Sequence, residues 1–90
     1  MNTLLSLAPR SSSNEKTRLA QRLLLYRGEL YRVPASYQRL RVVDGVAFVT
    51  QAARDRILTS GHEMALEPHG DIALVSPLRG NQLIVELYGG

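Results

Sequence analysis

The pair Asp44-Gly45, set between two runs rich in β-branched residues, constrains the fold more than any other feature of this sequence. An Asp-Gly pair in such a setting is the strongest short-range signal for a β-hairpin, because glycine tolerates the positive φ angle that a type I′ turn requires. The pattern predicts strands at Arg39–Val43 and Val46–Thr50, joined by a two-residue turn. We therefore expect an antiparallel sheet built around this hairpin.

Side chains alternate across the predicted hairpin and separate two faces. The first face is wholly apolar and is expected in the core; it consists of Leu40, Val42, Ala47 and Val49. The second mixes aromatic, aliphatic and guanidinium groups; it consists of Arg39, Arg41, Val43, Val46, Phe48 and Thr50. A face that is aromatic, rich in arginine and free of lysine is typical of interfaces. Two hypotheses follow: it is an interface or ligand face, or it lines a barrel interior with the arginine tips reaching solvent.

Turn signals recur about every 8–12 residues along the rest of the chain, as in β-sandwiches and barrels. Further strands are predicted at Leu23–Tyr26, Leu30–Val33, Arg56–Thr59, Met64–Glu67, Ile72–Ser76 and Leu83–Tyr88. The turns expected between them contain Gly28, Gly61, Gly70 and Gly80. No helix of ordinary length is expected between strands, which argues against a parallel sheet. The sequence therefore predicts an all-β fold, a small barrel or sandwich of antiparallel hairpins.

The N-terminal region lacks this pattern. Residues 1–14 are serine-rich and without periodicity, and we expect a flexible tail there, followed by a single small β domain over residues 15–90. Ser12 and Glu15 match a capping box, which is compatible with a short helix from Glu15 to about Arg22.

Two blocks carry a resemblance to a known family. Leu40–Gln51 has the form L-R-V-x-x-G-x-x-F-V-T-Q, and Asp55–Gly61 has the form D-x-x-L-x-x-G. Residues 23–87 thereby resemble the small bacterial family catalogued as domain of unknown function 2917, with Phe48 where that family usually has tryptophan. The resemblance implies a cupin-like barrel or sandwich. It implies no activity, because none is established for the family.

Cupin enzymes typically bind a metal through an H-x-H pair, a nearby glutamate and a distant histidine. The comparable residues are His62, Glu63 and His69, but the first two are adjacent and would point to opposite faces of a strand. Further ligands at suitable spacing are missing. The chain has no cysteine, and its serines lie in no nucleophile motif. We therefore expect no metal, no other cofactor and no catalysis, and a degenerate cupin enzyme is the least favoured reading.

The charge is unevenly placed. Of the 11 Lys and Arg residues, eight lie in residues 1–41, whereas six of the eight Asp and Glu residues lie in residues 42–90. In the basic half, arginines alternate with tyrosines; they are Arg22, Tyr26, Arg27, Tyr31, Arg32, Tyr37, Arg39 and Arg41. Phosphate contacts and base stacking need this mixture. A nucleic-acid-binding small β-barrel that uses the basic N-terminal half is therefore the alternative hypothesis.

The main hypothesis is a non-catalytic binding or assembly module that forms a homodimer. A chain of 90 residues buries too little surface to be very stable alone. The terminal strand is apolar on one face and would be poorly protected at a sheet edge, so we also name an edge interface formed by Leu83, Val85, Leu87 and Tyr88. Any small-molecule ligand is unidentified. No apolar run approaches the roughly 20 residues of a membrane span, so we expect a cytoplasmic protein without membrane contact.

Overall fold

The computed structural model describes residues 18–68 and 71–89, and these residues form one antiparallel sheet of six strands. The strands are β1 (Leu19–Tyr26), β2 (Tyr31–Val33), β3 (Tyr37–Gln51), β4 (Arg54–Thr59), β5 (Glu63–Ala65) and β6 (Ala73–Gly89). The predicted all-β fold is confirmed, with no helix in the described ranges. The predicted tail, residues 1–14, lies outside them. A helix reaching Arg22 is wrong, because β1 begins at Leu19 and pairs with β6.

β6 lies at the centre of the sheet. The strand order is β1-β6-β3-β4, with β2 paired further along β6 and β5 further along β3. β1 and β2 therefore follow each other along one side of β6, and β4 and β5 follow each other along one side of β3. The sheet therefore consists of four long rows of backbone, which we call ribbons. Two are the single strands β6 and β3, and two are interrupted, β1 followed by β2 and β4 followed by β5.

The predicted hairpin at Asp44-Gly45 is wrong. β3 runs through both residues without reversing, and its partner is β6 on both sides of them. The register jumps here, from Val42 opposite Val85 to Val46 opposite Arg79. Gly45 does adopt a positive φ, 106°, but the chain uses it for a β-bulge. A positive-φ glycine suits both a reversal and a bulge, and the pairing with β6 decides between them.

Each of the four ribbons contains a glycine with positive φ, and the four glycines lie at the same level of the sheet. Gly28 separates β1 from β2, Gly61 separates β4 from β5, and Gly45 and Gly80 lie within β3 and β6. We call this transverse line of four glycines the crease. The glycine turns predicted at positions 28, 61 and 80 are thus bends within ribbons. The strands predicted around Gly28 and Gly61 exist, but they pair with β6 and β3 rather than with each other.

The sheet folds over along the crease. The N–H of Leu66 donates to the Gln38 carbonyl (2.8 Å), and the N–H of the next residue, Glu67, donates to Oε1 of Gln51 (2.9 Å). Adjacent residues thus touch both ends of β3, which would lie about 40 Å apart in a straight strand. The fold-over creates two walls facing each other.

We call these the Glu86 wall and the Phe48 wall. The Glu86 wall contains β1, β5, residues 37–44 of β3 and residues 82–89 of β6. The Phe48 wall contains β2, β4, residues 46–51 of β3 and residues 73–79 of β6.

The core lies between the walls. The predicted core face is confirmed, since Leu40, Val42, Ala47 and Val49 are all fully buried. The first two have even numbers and the last two odd numbers, so the bulge at Gly45 shifts the alternation and keeps all four pointing inward. The remaining core residues are Leu25, Val33, Leu58, Leu66, Ala73, Val75, Leu83, Val85 and Leu87.

The predicted edge interface at Leu83–Tyr88 is wrong. This segment belongs to β6, which pairs with β1 on one side and β3 on the other, so its backbone edge is not free. Leu83, Val85 and Leu87 are fully buried between the walls, and only Tyr88 keeps partial exposure. The apolar face identified in the sequence is core.

Candidate interaction surface

The crease divides the second face predicted from the sequence. Arg39 and Arg41 lie on the outside of the Glu86 wall, whereas Phe48 and Thr50 lie on the outside of the Phe48 wall. Val43 and Val46 flank the crease between these pairs. All six residues are partly exposed, and none belongs to the core cluster. They therefore form two outer surfaces rather than one, and they do not line the interior.

Glu86 is the centre of a charged network on the outside of its wall. The register aligns Arg22 of β1 and Arg41 of β3 with Glu86 on the strand between them. Arg22 donates to Oε2 of Glu86 through Nε (3.1 Å) and Nη2, and Arg41 donates through Nη1 to Oε1 (3.4 Å). The Tyr88 hydroxyl also donates to Oε1 (2.6 Å). These neighbours cover the carboxylate so well that Glu86 is only 5% exposed.

The network fixes the protonation states of its members. The hydrogen bonds from Tyr88 and Arg22 lower the pKa of Glu86 below its usual value, although burial opposes them. The bond to the Glu86 carboxylate, helped by burial, raises the pKa of the Tyr88 hydroxyl. At neutral pH Glu86 is therefore ionised and Tyr88 is protonated. Neither group titrates near pH 7, as a general acid–base pair would.

A third ion pair extends this row to β5. Nη1 of Arg39 lies 3.3 Å from Oε2 of Glu63, and both side chains are substantially exposed. Both arginines of the predicted face are thus paired with carboxylates. Arg22 and Glu86 were not predicted as members of this surface, because they become neighbours only when β6 lies between β1 and β3.

The outside of the Phe48 wall is apolar instead. Phe48 lies opposite Ile57 on β4 and Ser76 on β6, and Ile57 is 60% exposed. Val46 and Leu74 add half-buried aliphatic surface next to them. This wall therefore presents a small exposed hydrophobic patch.

The part of the interior that residues 18–68 and 71–89 line offers little room for a ligand. Seven large side chains facing it are fully buried; they are Leu40, Val42, Val49, Val75, Leu83, Val85 and Leu87. Two cavities, one beside Tyr37 and Gln51 and one beside Arg54 and Arg56, have volumes of about 10 and 40 Å³. Pockets for small molecules usually measure about 300–1,000 Å³.

The candidate metal ligands His62 and Glu63 are exposed at the surface. His62 is exposed in the turn between β4 and β5, where its Nδ1 lies 2.9 Å from the Thr59 hydroxyl. His69 is outside the described residues. In residues 18–68 and 71–89, His, Asp and Glu side chains form no group of three that could hold a metal ion.

No helix long and apolar enough to cross a membrane occurs in the part of the chain that the structure describes.

Comparisons with known proteins identify the class of fold. No family model matches the chain. No curated protein matches it either. Among solved structures, it is similar to the crystal structure of a protein assigned as ethanolamine utilization protein Q from Salmonella typhimurium LT2, with a TM-score of 0.52 and 13% sequence identity.

That similarity covers 76% of this chain and 55% of the Salmonella protein, so the chain spans about half the length of its structural neighbour. The neighbour has a cupin fold. The chain therefore contains a small cupin-like β domain, as the sequence resemblance implied.

Proposed function

We propose that this domain is a non-catalytic assembly module, a cupin-like barrel that binds other macromolecules, including a second copy of itself, through its outer walls. The observation that carries the proposal is the filled interior. Where a ligand-binding barrel has its cavity, this one has aliphatic side chains with no exposed surface.

The outer surface supports the same proposal. Large hydrophobic side chains are exposed on both walls, among them Leu24 on β1 and Ile57 on β4. On the Glu86 wall, carboxylates hold the arginines in a defined geometry. Exposed apolar groups beside ordered arginines are typical of surfaces that bind proteins.

Light scattering coupled to size-exclusion chromatography tests self-assembly. The chain has a mass of 10.0 kDa, so a homodimer would have twice that mass at micromolar concentration. A single-protomer mass at every concentration, up to the highest that stays soluble, would refute the homodimer.

Metal analysis tests the proposal that the domain is non-catalytic. We expect less than stoichiometric Fe, Mn, Ni or Zn in protein purified without an affinity tag. One transition metal per chain, lost in a His62→Ala or His69→Ala variant, would favour a cupin enzyme instead.

We also propose that the chain is a divergent member of the family catalogued as domain of unknown function 2917. The block Leu40–Gln51 that carries the resemblance coincides with most of β3, and its glycine is the crease residue Gly45. A crystal structure of an established family member tests this. Its matching glycine should lie at positive φ within a continuous strand, and a true hairpin at that glycine would contradict the assignment.

A further inference from the structure

β1 is an edge strand whose free side is unusually open. The N–H of Arg27 donates to the Asn81 carbonyl on β6 (3.0 Å), so the backbone of Arg27 points into the sheet. The preceding residue, Tyr26, points the other way: its N–H donates to Oε1 of Glu29 (2.7 Å) and its carbonyl accepts from the Glu29 N–H (3.0 Å). Because backbone groups alternate along a strand, Arg22 and Leu24 also point away from β6.

Among the described residues, only the end of this edge is blocked. Glu29 satisfies both backbone groups of Tyr26, but no side chain or backbone group in the described ranges binds those of Arg22 and Leu24. The side chains of Leu19 and Leu24 are each 46% exposed beside them. An edge strand with free N–H and C=O groups and exposed leucines is a template for a further strand.

The opposite edge of the sheet is protected. β4 begins with three consecutive charged residues, Arg54, Asp55 and Arg56, which place charge on both faces of the strand. Arg56 lies opposite the fully buried Val49, so its charge is on the inward side. Inward-pointing charges on an edge strand prevent pairing with another sheet. The contrast leaves β1 as the edge suited to pairing.

We propose that β1 pairs antiparallel with β1 of a second copy, around a two-fold axis at Leu23; this rests on the proposed self-assembly. Leu23 would then face Leu23 of the partner subunit, and Arg22 would exchange backbone hydrogen bonds with Leu24 of the partner subunit. A register centred on Arg22 would set two arginines directly opposite each other, which is destabilising. A register centred on Leu24 would need the Tyr26 groups that Glu29 already holds.

This pairing produces a closed dimer. The two Glu86 walls join into one continuous sheet, and the β1 edge of each copy is then paired. Such an interface is isologous, because both copies contribute the same surface, so assembly stops at the dimer. Pairing of β1 with β4 of another copy would instead leave a free edge at each end and build a fibre.

Single cysteines test the register, because the chain has none of its own. In the proposed pairing the two Leu23 Cα atoms lie about 4.5 Å apart, as in any non-hydrogen-bonded pair, and this distance permits a disulfide. Under a mild oxidant, Leu23→Cys should become a covalent dimer, and Arg22→Cys and Leu24→Cys should cross-link far less. Ile57→Cys on the Phe48 wall is the matched control and should stay uncross-linked.

Proline at position 24 tests the backbone hydrogen bonds. Leu24→Pro removes an N–H that points away from β6, so the protomer should keep its β-sheet circular dichroism while its mass falls from two protomers to one. Leu24→Thr keeps the N–H and should stay dimeric.

The outcomes separate this inference from the proposed function. A wild-type chain that is monomeric refutes both. A wild-type dimer that cross-links through Ile57→Cys, or that survives Leu24→Pro, keeps the assembly module but refutes the β1 pairing.

Discussion

At the scale of single residues, Glu86 is the carboxylate on which the Glu86 wall depends. Glu86→Gln leaves Arg22 and Arg41 without a charged acceptor, and we expect it to lower the free energy of unfolding by about 1.5–3 kcal/mol at pH 7, the range for hydrogen bonds to charged groups. Glu63→Gln breaks only the exposed pair with Arg39 and should cost less than about 1 kcal/mol. Urea denaturation of both variants gives the comparison, and equal losses would contradict the central role of Glu86.

The same network predicts a pH dependence. The pKa of Glu86 is lower in the folded state than its ordinary value of 4.5, so its contribution to stability is complete above that value and disappears as the pH falls through the folded pKa. The stability difference between the wild type and Glu86→Gln should therefore be constant from pH 7 to pH 5 and shrink at lower pH. Denaturation curves at several pH values measure it, and a difference that persists unchanged at pH 2 would show that the carboxylate charge is not its source.

Gly45 is constrained by both its backbone angle and its surroundings. A Cβ there would lie 2.9 Å from the backbone oxygen of Gln82, at a φ of 106° that other residues rarely adopt. We expect Gly45→Ala to lower the free energy of unfolding by more than about 2 kcal/mol, because the backbone strain and the overpacking both destabilise the folded state. At Gly28, also at positive φ, an added Cβ would contact nothing within 4 Å, so Gly28→Ala should cost only about 1 kcal/mol. Thermal melts compare them, and a near-neutral Gly45→Ala would mean that the crease does not pass through this residue.

At the scale of elements, a true two-residue hairpin joins β3 to β4. Its central residues, Ala52 and Ala53, both have positive φ, 54° and 62°, the angles of a type I′ turn that alanine tolerates poorly. Ala53→Gly should therefore stabilise the protein by about 0.5–1 kcal/mol. The relief of backbone strain at positive φ outweighs the larger conformational entropy that a glycine loses on folding. Ala35→Gly, in a turn without positive φ, should destabilise by about 0.4–1 kcal/mol. Chemical denaturation tests both, and a loss of stability in Ala53→Gly would contradict the turn type.

The elements also show what local sequence can and cannot specify. Alternation of apolar residues placed Leu40, Val42, Ala47 and Val49 in the core, because burial depends on side-chain polarity. The pairing of strands was not predictable in the same way. Positive φ at Gly45 suits a hairpin and a bulge equally, and the choice depends on β6, more than 30 residues later in the chain. The real hairpin at Ala52-Ala53 contains neither glycine nor asparagine, so it gave no signal.

The candidate surface was predictable only in part for the same reason. Arg39 and Arg41 were identified because they alternate with core residues on one strand. Their partners come from distant strands, and the buried state of Glu86 exists only after β1, β6 and β3 have assembled. The fold-over at the crease, which separates Arg41 from Phe48, is equally non-local.

At the scale of the whole molecule, three arginines of the basic N-terminal half are paired with carboxylates. Arg22, Arg39 and Arg41 are paired with Glu86 or Glu63, which weakens their attraction for phosphate. We expect binding to single-stranded DNA or RNA no tighter than about 10 μM at physiological salt, weaker than typical specific complexes. Fluorescence anisotropy across a salt series measures it. Sub-micromolar affinity that falls steeply with salt and is lost in an Arg39→Ala/Arg41→Ala variant would favour the nucleic-acid hypothesis.

The central position of β6 has a consequence for how the chain is made. β6 follows the other five described strands in the chain and leaves the ribosome after them, yet β1, β2 and β3 all pair with it. Until it emerges, β1 and β2 have no partner strand, and the apolar residues of β3 have only the short β4 and β5 beside them. The sheet of the described residues therefore cannot form until β6 has been synthesised. The leucine-rich β1 therefore stays without its partner strand while the residues up to β6 are translated, and an unpaired apolar strand of this kind is prone to aggregate.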